Sequence, residues 1–137
     1  VRIVIDTNIL ASALISEHGV PAQLLDAWTD HVFTLITSRT QITELSDVTR
    51  RPIVRPLVKP ASVGRFVKDL HRRATVLERL PTVDRSPDSN DNFLLAMAEA
   101  GQAEYLATGD KRHVLALRQH GATHMLTARA MLKVLGV

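Results

Sequence analysis

Asp6 follows the short apolar run at residues 2–5 directly, and Asp110 follows the run at 103–108 after one glycine, at the same sheet edge. Either acid alone also suits a helix cap. Two carboxylates at equivalent strand ends weaken that reading for both. Asp91 falls in the first turn of an apolar helix, where the helix dipole stabilises an anion by roughly 0.3–1 kcal/mol. Asp88, three residues earlier, fits the cap at least as well, so Asp91 is the favoured functional acid and Asp88 a spare one. Glu44, at about 100° per residue, borders the Ile42/Leu45/Val48 stripe of its helix, whereas Asp47 points nearly opposite and reads as solvated. Four gathered carboxylates without compensating bases repel one another unless a cation binds or their pKa values move. An oxygen-only donor set suits a hard ion such as Mg²⁺ or Mn²⁺. Two such ions roughly 4 Å apart can activate a water and stabilise both oxygens of an in-line displacement at phosphorus. That chemistry is phosphodiester hydrolysis.

The elements that must position these acids alternate along the chain. Residues 2–5, 33–37, 75–80, 103–108 and 123–126 read as short buried strands. Helical spacing follows Asp6 and carries Ile9, Leu10, Ala13 and Leu14 inward. It recurs over 22–29, in the helix capped by Ser38 or Thr40, and over 61–73 and 128–135. A further helix, capped by Ser86, Asp88 or Ser89, has the body Phe93-Leu94-Leu95-Ala96-Met97-Ala98, apolar almost all round and therefore central, and Gly101 stops it. Residues 50–60 hold three prolines and read as an irregular connection. The pattern predicts an α/β fold, a three-layer α/β/α sandwich around a parallel sheet of about four or five strands. Ligands of such sheets bind outside the carboxyl ends of the strands, where Asp6 and Asp110 fall.

The 137 residues suit a single domain spanning 1–137, and 45% hydrophobic against 23% charged residues predicts a globular chain with a real core. The absence of cysteine excludes a disulfide framework, a thiolate zinc site and a Cys nucleophile. No apolar run approaches the roughly 20 residues of a membrane span, and no signal peptide is expected, so the expected location is cytoplasmic. Aromatics are 4%, too few for a base-stacking platform. The six histidines are scattered, and G-x-S-x-G, P-loop and G-x-G-x-x-G sequences are absent. A phospho-accepting receiver would leave Glu44 and Asp91 unexplained.

The pieces Ile3-Val4-Ile5-Asp6-Thr7-Asn8-Ile9-Leu10, Thr43-Glu44-Leu45, Asp91 followed by Ala96 and Ala98, and Leu106-Ala107-Thr108-Gly109-Asp110 occur in one order. Together they resemble the PIN domain, a nuclease fold of many toxins of toxin–antitoxin pairs. Arg51-Pro52 and Ser86-Pro87-Asp88 resemble the toxin-component group within it. The resemblance implies a metal-dependent ribonuclease in which Asp6, Glu44, Asp91 and Asp110 hold one or two Mg²⁺ or Mn²⁺ ions. It also implies that Asn8 and Thr108 support the acids by hydrogen bonding, with Asp88 able to share the third ligand position. A homodimer and a small antitoxin protein that blocks the crevice are further implications. Where many relatives carry another acid and a Phe beyond Asp110, this chain has Arg112 and His113. The competing expectations are a silent PIN-like module that binds RNA or protein and a housekeeping RNA-processing nuclease.

The net charge of +3 divides unevenly. Residues 50–85 carry ten bases and three acids, a net of +7, and the remainder carries seven bases and eleven acids, a net of −4. A charge run is commonly just a solvated face. Beside an acidic centre it also suits a grip on phosphates, and Arg50, Arg51, Arg72 and Arg73 are the expected RNA contacts. Such a grip reads no bases and leaves the RNA sequence open.

Overall fold

The structure, a computed structural model, describes residues 1–109 and 114–137. In chain order the elements are β1 (Arg2–Ile5), α1 (Thr7–Ile15), α2 (Val20–Thr29), β2 (Thr34–Ser38), α3 (Arg39–Arg50), a 3-10 turn (Arg55–Leu57) and α4 (Pro60–Arg73). They continue with β3 (Thr75–Leu77), α5 (Ser89–Ala100), β4 (Tyr105–Ala107), α6 (Val114–Leu117), β5 (Gln119–His120), β6 (Thr123–Leu126) and α7 (Ala128–Leu135). Among the described residues these make one six-stranded sheet in the order β3-β2-β1-β4-β6-β5, flanked by seven helices. All pairings are parallel except β5 with β6. The strand beyond the four or five expected is β5. It has two residues and turns back through Gly121 at φ +57°, too short to leave a hydrophobic period in the sequence.

β1 is central because its side chains can be buried on both faces. Ile3 and Ile5 point to one side with Leu35, and Val4 points to the other with Ile36 and Leu106. On the first side α1, α2, α3, α4 and α7 contribute Leu10, Leu24, Leu45, Leu70 and Met131, all fully buried. On the second, α5 contributes Leu95 and Met97 and α6 contributes Val114. This gives the three layers expected from the sequence. Among the described residues no helix is long and apolar enough to cross a membrane.

The strand order determines where a site can form. The chain winds outward from β1 to β2 to β3, then returns through α5 to place β4 on the opposite side of β1. The order therefore reverses between β1 and β4, and connections leave that point in opposite directions, opening a crevice at the carboxyl ends.

Gly101 closes α5 against β2 with no room for a side chain. A Cβ there would lie 2.5 Å from Ile36 Cγ2 and 3.0 Å from the Met97 carbonyl oxygen. Ile36 is β-branched and buried, so its methyl cannot swing aside. Gly101→Ala is expected to destabilise the fold by about 1–3 kcal/mol, read from urea unfolding midpoints. An unchanged midpoint would show that α5 can slide away from the sheet.

Candidate active site

Asp6 leaves β1 at the reversal point and begins α1. Its N–H donates to the Ala107 carbonyl of β4 at 2.9 Å, continuing the sheet by one bond. Its side chain caps α1, with Oδ1 accepting from the Asn8 N–H at 3.0 Å, while Oδ2 accepts from the Thr108 hydroxyl at 2.9 Å. Asn8 thus supports Asp6 through its backbone and Thr108 through its side chain. Two hydrogen bonds fix the carboxylate's plane, so its charge faces the crevice in one orientation.

Glu44 stands in the middle of α3, half-buried beside the Ile42/Leu45/Val48 stripe. Burial raises its carboxyl pKa above the ordinary value. A hydrogen bond from the Thr7 side chain opposes that shift, the Asp6 charge adds to it, and the Arg51 charge opposes it. Loss of hydration is the main reason this carboxyl holds its proton more tightly, and the Asp6 charge is a smaller addition to it.

Asp91 lies in the first turn of α5 and is 3% exposed, with Oδ2 accepting from the Ser86 hydroxyl at 2.8 Å. Asn92 holds that serine in place. Its Oδ1 accepts from the N–H groups of Arg85 and Ser86 at 3.0 and 2.8 Å, and its Nδ2 donates to the Ser86 carbonyl at 2.8 Å. Asp88 is the N-cap of α5, accepting from the Asn90 N–H at 2.9 Å, and is exposed. The two acids therefore divide the work, with Asp88 ending the loop and Asp91 turned inward.

Asp6, Glu44, Asp88 and Asp91 all line one cleft of about 550 Å³, together with Asn8, Arg51 and Gly109. Asp110 lies outside the described residues, as do Arg112 and His113. The donor chemistry fits a hard divalent ion: carboxylate oxygens from three elements, one of them pushed toward protonation chiefly by burial and in smaller part by the Asp6 charge. Among the described residues, however, no three acids or histidines already stand close enough to share one ion. Such an ion can be held by one or two carboxylates while keeping several of its waters.

The basic residues divide by place. Arg51 lines the acidic cleft and also a shallower groove along α3 with Arg39, Thr43 and Asp47. Arg50 faces a separate groove between α3 and α4, with Arg55 and Val67. Arg72 is exposed on α4. Arg73 closes the end of α2, donating to the Thr29 carbonyl at 3.0 Å with its guanidinium 5.2 Å from the Trp28 ring centroid. A cation on the last carbonyls of a helix and over an indole stabilises both. Arg73→Ala is expected to cost about 1 kcal/mol in thermal unfolding. A melting temperature equal to wild type would leave the residue without that role.

The sequence points to no role beside the acids for Thr7, Ser86 or Asn92, Ser86 being only a candidate helix cap and part of a family motif, although the first acts on Glu44, the second touches Asp91, and Asn92 fixes Ser86. Their advance signal is position: Thr7 is adjacent to Asp6, Ser86 lies in the loop before α5, and Asn92 is next to Asp91 in α5 itself.

A comparison with curated proteins finds no match. A family model described as PIN domain matches residues 2–112, a span that contains β1, β4, all the acids of the cleft and Asp110. With most of its length matched, and its acids placed at the reversal between β1 and β4, this chain belongs to the PIN domain family.

Proposed function

We propose that the protein is a divalent-metal-dependent endoribonuclease that hydrolyses RNA phosphodiester bonds in the cleft between α1, α3 and α5. PIN domains are generally nucleases and commonly use divalent metal ions. The observation that carries the reading for this chain is the convergence of Asp6, Glu44 and Asp91 on one cleft beside Arg51. Asp6, Glu44, Asp91 and Asp110 are the proposed ligands of one or two Mg²⁺ or Mn²⁺ ions, with Asp88 able to share the third position. When bound, such an ion supplies an activated water and offsets the charge that builds on the phosphate.

The chain's own groups prepare that chemistry. The Asn8 N–H and the Thr108 hydroxyl hold Asp6 in one orientation, and Ser86 does the same for Asp91. Arg51 is placed to bind a substrate phosphate at the cleft, and exposed Arg50 and Arg72 extend the grip along the flank. Arg73 shares the basic segment, but its guanidinium is held by α2. The biological role proposed is that of a toxin, acting in the cytoplasm as a homodimer and blocked by a small antitoxin protein. Its support is the sequence resemblance carried by Arg51-Pro52 and Ser86-Pro87-Asp88.

Labelled RNA incubated with the pure protein and Mg²⁺ or Mn²⁺, with and without EDTA, tests the enzyme. Cleavage that stops on chelation is expected. Cleavage indifferent to EDTA removes the metal, and binding without cleavage of any RNA favours a silent module. Growth arrest on expression, relieved by co-expressing a small protein encoded directly upstream, tests the toxin role. Normal growth favours housekeeping RNA processing.

A further inference from the structure

A buried chain of polar side chains runs beneath the cleft. Thr37 at the end of β2 and Gln41 in the first turn of α3 are 0% and 1% exposed, and Thr7 is 2% exposed. The Thr37 hydroxyl lies 2.7 Å from Gln41 Oε1. Gln41 Nε2 lies 2.7 Å from the Ile5 carbonyl, the last of β1, and 3.4 Å from the Thr7 hydroxyl oxygen. Thr7 and Glu44 line the same cleft, and the Thr7 side chain is near enough to favour the charged form of the Glu44 carboxyl.

The direction of every bond in this chain follows from one of them. The Ile5 carbonyl can only accept, so the group facing it at 2.7 Å must be the amide NH₂ of Gln41. A flipped amide would set two acceptors against each other. Oε1 therefore faces Thr37, whose hydroxyl must donate to it. The second Nε2 hydrogen is directed at the Thr7 oxygen, which leaves the Thr7 hydroxyl hydrogen for the Glu44 carboxylate. Among the described residues no buried side-chain nitrogen or oxygen is left without a partner, so breaking one bond of this chain would leave a buried polar group unpaired.

We propose that Gln41 is a positioning residue of the cleft: it tethers the end of β1 to α3 and orients the Thr7 hydroxyl, which in turn fixes the direction of the Glu44 carboxylate. This rests on the reading of Glu44 as a metal ligand. A leucine at position 41 would satisfy the Ile42/Leu45 packing equally well in an ordinary helix. A glutamine there makes sense where a strand-end carbonyl and a cleft hydroxyl must be held together. The groups that orient metal ligands through hydrogen bonds alter metal affinity by about 10–100-fold when removed.

Calorimetric titration with Mn²⁺, without RNA, tests the proposal, with unfolding curves recorded for each variant. Gln41→Met keeps the length and removes the donors. It is expected to weaken Mn²⁺ binding at least about tenfold and to lower kcat for RNA while leaving KM unchanged. Thr7→Val should weaken Mn²⁺ similarly, Thr7→Ser should restore it, and the Gln41→Met/Thr7→Val double variant should be no worse than the weaker single. If Gln41→Met folds and binds Mn²⁺ like wild type, Gln41 only ties β1 to α3 and the proposal is overturned. If Gln41→Met does not fold, the Thr7 pair and Thr37→Val decide, and wild-type affinity in Thr7→Val or in Thr37→Val overturns it. Failure of wild type to bind Mn²⁺ or Mg²⁺ overturns both this proposal and the metal reading, whereas equal binding by wild type and variants overturns this one alone.

Discussion

Asp6→Asn is expected to lower metal-dependent RNA cleavage by at least about a hundredfold while leaving thermal stability within about 0.5 kcal/mol of wild type. The two effects separate because Asp6 has two roles that need different things from it. As the cap of α1 it must accept from the Asn8 N–H, and asparagine caps as well as aspartate. The amide nitrogen then faces Thr108, whose hydroxyl can rotate to accept in place of donating. As a proposed ligand it must bring a negative charge, and that is lost. Asp6→Ala would confuse the two by removing the cap, at a cost of about 1 kcal/mol. Initial rates on labelled RNA with Mn²⁺, beside melting curves of the same preparations, read both quantities. An Asp6→Asn enzyme that cuts at the wild-type rate would falsify the assignment of Asp6.

What the sequence could announce here was whatever depends on a residue's own type and its near neighbours. Ile3-Val4-Ile5 announces a buried strand because three β-branched residues in a row suit a pleated surface covered on both sides. Asp6, Ser38 and Asp88 announce helix starts because a cap acts over two or three residues. That Asp88 suits the cap of α5 was legible for the same reason, and the structure places it there with Asp91 buried behind it. Silent in the sequence were Gln41 and Thr7, 34 residues apart, and Arg73 and Thr29, 44 apart. A glutamine, a threonine or an arginine in a helix or at its start is unremarkable until folding brings its partner. The basic segment shows the same limit: composition gave its sign, but only packing shows that Arg51 turns to the acids and Arg73 to a helix end. β5 escaped notice because two residues cannot display a period.

Glu44→Gln should move stability and activity in opposite directions. In the wild type, burial and the nearby Asp6 charge raise the Glu44 pKa above 4.5, against the opposing pull of Thr7 and Arg51. The folded state therefore holds this proton more tightly than the unfolded chain does. Glu44 contributes its full favourable share below about pH 4.5, the unfolded value, and that share disappears as the pH rises through the folded value. At neutral pH the charged carboxylate is a burden on the metal-free fold. Glutamine has nearly the same shape, can still accept from Thr7, and carries no charge to desolvate. In EDTA the variant's melting temperature should exceed that of the wild type at pH 7, and the gap should close as the pH is lowered toward 4.5. Adding Mn²⁺ should reverse the order, because an ion that binds the folded wild type stabilises it by mass action and finds one ligand fewer in the variant. Over the same conditions RNA cleavage should fall by about a hundredfold or more. If the wild type melts higher than Glu44→Gln at pH 7 in EDTA, Thr7 and Arg51 more than offset burial, and the carboxylate is there for the fold. A gap that Mn²⁺ leaves untouched would remove Glu44 from the ligand set. The expected crossing would show a carboxylate retained against the stability of the metal-free protein, which is what a residue kept for chemistry looks like.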